Sequence, residues 1–307
     1  MNISAEAVKQ LRERTGAGMM ECKKALVEAK GDLDAAAENM RKAGLAKADK
    51  KASRVAAEGV VVVEKSADGK TGVLVEVNSE TDFVARGDDF RGFAVDVAKA
   101  ALAAKADSVD AVNGLKLSSG ETVDERRRAL IAKIGENLTV RRVALVSAPT
   151  IVGSYVHTDN KKAALVAVEG GDAELARDLA MQVVASSPRY ITPGDAPADV
   201  VAKEREIASE FVKNDPANAK KPAEIQAKIV DGRVRKAIDE FALTQQLFVK
   251  DGDLTIDKLL QKSKASVKGF ERYEVGAGIE KKQGDFANEV MEQVKAAQTK
   301  TDPPTRH

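Results

Sequence analysis

Gly69-Lys70-Thr71 ends like a phosphate-binding loop, in which backbone N–H groups cradle a phosphate and the lysine reaches its outer oxygens. The spacing G-x-x-x-x-G-K-[ST] requires a glycine at position 64, where the chain has Glu64, and the segment falls in a hairpin turn rather than before a helix. Gly16-Ala17-Gly18 and Gly276-Ala277-Gly278 each open a G-x-G-x-x-G pattern, but its third glycine position holds Glu21 or Lys281. Neither is a dinucleotide site. Histidine occurs twice, as His157 and His307, and cysteine once, as Cys22. That is too few for a His/Cys metal cluster. A Cys–His nucleophile pair would need Cys22, in the middle of a helical stretch, beside His157. Carboxylates are too plentiful for any pair to stand out. The residues point away from catalysis and bound cofactors, and towards binding.

The stretch best suited to binding is Asn78-Ser79-Glu80-Thr81-Asp82-Phe83-Val84-Ala85-Arg86-Gly87-Asp88-Asp89-Phe90. It reads as a polar connection from a strand to a helix, with a large apolar residue at its middle. A phenylalanine on a polar loop costs solvation unless something covers it. Two readings stay open on the residues alone. Phe83 folds back onto its own domain, or it is a wedge that enters a pocket on a partner, with Asp82 as polar companion.

The chain is 43% hydrophobic and 32% charged, with 49 basic and 48 acidic residues. Near-zero net charge gives no bulk attraction to nucleic acid or anionic lipid, so neither is expected as a direct partner. Lys47-Ala48-Asp49-Lys50-Lys51 and Arg126-Arg127-Arg128 are read as solvated faces. A single cysteine suits a reducing cytoplasm. Met1-Asn2-Ile3-Ser4-Ala5-Glu6 has neither a basic nor an apolar signal region, so no secretory signal is expected. No apolar run approaches the ~20 residues of a membrane span.

The elements that would hold these residues follow from periodicity. Residues 1–44 read as three short helices: Ser4 caps the first and Gly16 ends it, Met19 opens the second, and Asp32 caps a third from Leu33 to Lys42 that Gly44 stops. One of Met19 and Met20 is expected inside so small a core, and the other on the surface as a contact residue. Residues 45–58 form a helical or partly ordered linker. The period then changes: Val60-Val61-Val62-Val63 and Gly72-Val73-Leu74-Val75-Glu76-Val77 are strands around an Asp68-Gly69 turn. A helix carrying Phe90, Phe93, Ala94, Val97 and Ala101 follows, then one over 121–134 that Gly135 stops, then a strand over 138–147. The order recurs: a second hairpin (153–157 and 163–168), a helix over 173–186, and a distant return strand over 269–275. This reads as an internal duplication with an insertion in its second copy. Within the insertion, Val200, Ile207 and Phe211, then Ile225, Ile229, Val234 and Ile238, form two apolar stripes broken at 214–218, an antiparallel helical hairpin. Residues 286–297 read as a polar helix and 299–307 as a disordered tail.

Two stretches resemble a known family: Leu11-Arg12-Glu13-Arg14-Thr15-Gly16-Ala17-Gly18-Met19-Met20-Glu21-Cys22-Lys23-Lys24-Ala25-Leu26 and Thr81-Asp82-Phe83-Val84-Ala85. Lys133-Ile134-Gly135-Glu136-Asn137, Gly153-Ser154-Tyr155-Val156-His157 and Tyr273-Glu274-Val275-Gly276-Ala277-Gly278-Ile279-Glu280 support them. Together they are similar to the elongation factor Ts family, guanine nucleotide exchange factors for elongation factor Tu, over nearly the whole chain and in order. The resemblance implies an α+β fold: an N-terminal three-helix domain like the ubiquitin-associated (UBA) domain with its linker (1–55), two core subdomains of antiparallel sheet with helices (56–149, and 150–190 with 242–276), a helical hairpin used for dimerisation (191–241), and a C-terminal module with a disordered tail (277–307). It implies that Asp82 and Phe83, flanked by Thr81 and Val84 and aided by Ile134 and Gly135, enter the nucleotide domain of elongation factor Tu. There they would disturb the magnesium and phosphate contacts of its GDP. Arg12, Met19 and Met20 would touch another helix of that domain, and His157 a different domain. The connection 214–221 is longer and more polar than the family pattern requires, and the tail after Gln298 has no counterpart in it. The rival from another class is an adaptor that uses the three-helix domain to hold peptides, which has no use for residues 81–85. A nucleotide-dependent enzyme is disfavoured by the failed glycine motifs.

Overall fold

A strand with no polar break on either side is stable only when both faces are covered. The computed structural model describes residues 3–280, apart from the side chains of 45–47, and places the valine-rich strands in that position. Three helices precede them: α1 (Ala5–Thr15), α2 (Met19–Glu28) and α3 (Leu33–Lys51). The Ser4 hydroxyl accepts from the Ala7 N–H, and Asp32 accepts from Asp34 and Ala35. Val8, Leu11, Cys22, Ala25, Leu26 and Ala36 fill the space between them. That core has no room left for either methionine, so the expected inward one is corrected: Met19 is 59% exposed and Met20 76%. The third helix also runs past its expected stop, through Gly44 to Lys51. A glycine inside a helix costs ~1 kcal/mol relative to alanine. Close packing offsets this, since a Cβ at Gly44 would lie 3.1 Å from the Cβ of Ala132.

The first unit comprises β1 (Glu58–Lys65), β2 (Thr71–Ser79), α4 (Asp82–Arg86), α5 (Asp88–Ala104), α6 (Val109–Asn113), α7 (Val123–Ile134) and β3 (Thr139–Ser147). The second begins with β4 (Ile151–Val156), β5 (Lys162–Glu169) and α8 (Ala173–Ser186). The insertion is α9 (Ala198–Asn214), α10 (Pro216–Ala219) and α11 (Ala223–Phe241). Then come β6 (Leu247–Phe248), β7 (Asp251–Thr255), α12 (Ile256–Lys262) and β8 (Ser266–Glu274). Two strands of three residues or fewer per face and three helices of seven residues or fewer carry too little period to be read from sequence, and α4, α6, β6, β7 and α12 were all missed. The return strand starts at Ser266, earlier than the expected 269. The helix and tail expected at 286–307 lie outside the described residues.

The duplication is visible in the sheets. Both are antiparallel, in the orders β1-β2-β3 and β4-β5-β8. Each central strand slips register against its return strand between its sixth and seventh residues, Glu76/Val77 and Ala167/Val168. Alternation assigns the faces. Val73, Val75 and Val77 meet Phe90, Phe93, Val97, Leu130 and Ile131 of α5 and α7, while Ala164, Val166 and Val168 meet Leu179 and Val183 of α8. The opposite faces pack on each other through Val61, Leu74, Val152, Leu165 and Tyr273. The layers therefore run helix, sheet, sheet, helix. Glu76 lies between the sheets with its side chain wholly buried, held by Arg141 at 3.0 Å, Arg142 at 2.5 Å and the Gly276 N–H at 2.9 Å.

Gly153 of β4 lies directly on α8, and a Cβ there would collide with the backbone carbonyl of Ala176. Gly153→Ala is expected to lower the unfolding free energy by about 1–3 kcal/mol, the usual cost of overpacking a filled core. Urea denaturation reads it, and an unchanged midpoint would show that β4 and α8 separate at no cost.

Candidate functional site

Phe83 is 82% exposed, more than any other large apolar side chain among the described residues. Folding back onto its own domain is therefore not what it does. Burying a phenylalanine is worth about 1.5–3 kcal/mol, and that energy stays available to a partner.

The mount beneath it is firm. Residues 81–86 are not the loop that the sequence suggests: α4 is a single helical turn with Thr81 as its N-cap. Its inner side carries Ala85, buried, and Val84, which packs partly against the α5–α7 core. Its outer side carries Phe83, and Asp82 forms an i,i+4 ion pair with Arg86 at 2.7 Å. A five-residue helix does not persist alone, so α4 depends on what grips its start. The Ser79 hydroxyl donates to the Thr81 carbonyl at 2.9 Å. The Thr81 N–H and hydroxyl both donate to the carboxylate of Glu136, at 2.9 and 2.7 Å. Ile134 ends α7 and packs on the same core, and Gly135 takes the left-handed turn after it, with φ +92°. Thr81, Asp82, Phe83, Val84, Ile134 and Gly135 thus form one edge of the first unit. Glu80 and Glu136, whose carboxylates build that edge, were missed as site residues. Their positions beside Thr81 and Gly135 were the available signal.

Arg12, Met19 and Met20 are exposed on the corner between α1 and α2. That corner adjoins α7: a Cβ at Gly16 would sit 3.5 Å from Cδ of Lys133, whose ammonium pairs with Asp89 of α5 at 2.8 Å. Arg128 joins α7 to Asp49 of α3 at 3.1 Å. His157 lies apart, exposed on the β4–β5 turn of the second sheet, with Tyr155 Oη 3.5 Å from its Nδ1. Among the described residues, no hydrogen bond or ion pair joins it to the other candidates. No helix of the described residues is long and apolar enough to cross a membrane.

Residues 80–277 match the family model described as Elongation factor TS. Among curated proteins, the elongation factor Ts of Francisella tularensis subsp. novicida is 55% identical, covering 96% of this chain and 99% of that one. That of Halorhodospira halophila is 52% identical, covering 96% and 99%. That of Methylococcus capsulatus is 52% identical, covering 97% and 100%.

Proposed function

The chain belongs to the elongation factor Ts family and is a translation elongation factor; from that premise we propose that it binds elongation factor Tu carrying GDP and drives GDP release with Phe83. Asp82 and Phe83 enter the partner's nucleotide domain near its magnesium and phosphate site, with Thr81, Val84, Ile134 and Gly135 around them. Arg12, Met19 and Met20 extend the contact from α1 and α2, and His157 reaches a second domain of the partner. The observation that carries this reading is an exposed phenylalanine on a helical turn clamped at its start.

No catalytic group is needed. A protein that binds the nucleotide-free partner more tightly weakens nucleotide binding by the same factor. An interface of about 1,600 Å² is enough to offset the distortion. Residues 1–55 serve as a UBA-like docking domain, 56–149 and 150–190 with 242–276 as the two core subdomains, and the protein works in the cytoplasm. The test is to add the protein to elongation factor Tu loaded with a fluorescent GDP in a stopped-flow instrument. Faster release with rising concentration is expected. Binding without faster release would favour the adaptor reading, which the exposed Met19 and Met20 also suit.

The hairpin of α9 and α11 serves a second copy of the chain. Its own seam holds Ala208, Val212, Val230, Val234 and Ile238, but Ile207, Phe211 and Ile225 stay outside, 41–52% exposed. Its two ends meet, since the Arg189 N–H donates to the Phe241 carbonyl at 2.8 Å and the Leu243 N–H to Tyr190 at 2.9 Å. A short linker can therefore replace residues 192–240, which leaves both of these contacts in place. That deletion is expected to leave thermal unfolding of the rest nearly unchanged and to turn a dimer into a monomer by light scattering. An intact protein that is already monomeric would remove the role.

A further inference from the structure

Two glutamates from different segments each grip the backbone N–H of the residue that follows the other, beside Phe83. Glu136, just after α7, accepts from the Thr81 N–H through Oε2 and from the Thr81 hydroxyl through Oε1, at 2.9 and 2.7 Å. Glu80, just before Thr81, accepts from the Asn137 N–H at 2.6 Å. The two connections thus exchange carboxylates reciprocally. Asn137, 1% exposed, anchors the clasp further by donating to the Arg54 carbonyl at 2.8 Å. Lys51 also donates to the Gly135 carbonyl. Three chain segments meet here, and α4 leaves from their junction.

We infer that Glu136 is the positioning residue of the exchange wedge: it fixes Thr81, Thr81 fixes the start of α4, and α4 aims Phe83. Hydrogen bonds to a carboxylate are stronger than neutral ones, and a two-oxygen grip on one residue sets direction as well as distance. Ala85 and the half-buried Val84 beneath the helix give only a small apolar footing, on which α4 could otherwise tilt. A supporting group that holds the working side chain within a fraction of an ångström often decides whether a site functions. The inference rests on the exchange reading above.

GDP release from elongation factor Tu, followed against concentration of the full-length protein, tests it in wild type, E136A, E136Q, F83A and F83A/E136A. E136A is expected to lower the maximal release rate about tenfold, the loss of roughly one charged hydrogen bond. The half-saturating concentration should move less than about twofold, because the docking surface elsewhere is untouched. E136Q should retain most of the maximal rate, since an amide still accepts the Thr81 N–H and donates to the hydroxyl. The double variant should be no slower than F83A, because a residue that acts through Phe83 has nothing left to aim. If E136A unfolds below the assay temperature, E136D takes its place; it keeps the charge, shortens the reach and should show the same split. If F83A slows release but E136A or E136D leaves the maximal rate unchanged, the positioning role falls and the exchange reading stands. A loss at Glu136 that adds in full to that of F83A also overturns it. If F83A itself has no effect, both readings fall together.

Discussion

Phe83→Ala is expected to slow GDP release from elongation factor Tu by about 30-fold at a fixed, subsaturating concentration of the protein. Truncating a central aromatic anchor typically costs ~2 kcal/mol or more, and each 1.4 kcal/mol is tenfold. The same substitution should leave the protein's own stability within about 0.5 kcal/mol, as for surface changes that break no packing. The side chain is 82% exposed and makes no contribution to the cores on either side of the sheets. This combination, a large functional loss at no structural cost, marks a residue kept for a partner. Stopped-flow release of fluorescent GDP with and without magnesium sharpens the result. The proposed intrusion works on magnesium and phosphate contacts, so chelating the metal should bring variant and wild type closer together. Equal release rates in magnesium would end the wedge reading.

Glu76→Ala is expected to do the opposite: to damage the fold while leaving the wedge residues in place. Removing one partner of a buried ion pair costs about 3–5 kcal/mol because the other charge stays behind. We expect the lower end, ~3 kcal/mol, because Arg141 and Arg142 are 24% and 30% exposed and can rehydrate. Glu76 also accepts from the Gly276 N–H, and Arg141 and Arg142 donate to the carbonyls of Ala277 and Glu274. Loss of the carboxylate should therefore free the turn after β8, read as faster amide exchange over residues 276–279. Glu76→Gln keeps an acceptor and should lose less. A urea midpoint unchanged in Glu76→Ala would show that the carboxylate holds nothing between the sheets.

Glu76 also shows how a residue can be legible as strand and illegible as structure. Within Gly72-Val73-Leu74-Val75-Glu76-Val77 it looks like the solvent position of an otherwise apolar run. It points instead at the second sheet, where three donors from residues 65 to 200 positions away converge on it. Gly44 makes the same point for helices. Local propensity ends α3 there, and a neighbour 88 residues later, Ala132, makes the glycine useful in mid-helix.

Sequence alone determined what depends on neighbours along the chain. Caps at Ser4 and Asp32, the stops at Gly16 and Gly135, the two valine-rich hairpins, the exact span of α8 and the repeated order of elements all follow from residues within a few positions of one another. So did the absence of any recognisable catalytic spacing, and Phe83 as the residue that needed explaining. Tertiary structure decided whether that side chain turns in or out, because its environment is made by segments far apart in sequence. A polar stretch between strand and helix is compatible with either direction. The grip of Glu136 on Thr81, 55 residues away, and the burial of Ala85 under α4 leave Phe83 facing outward.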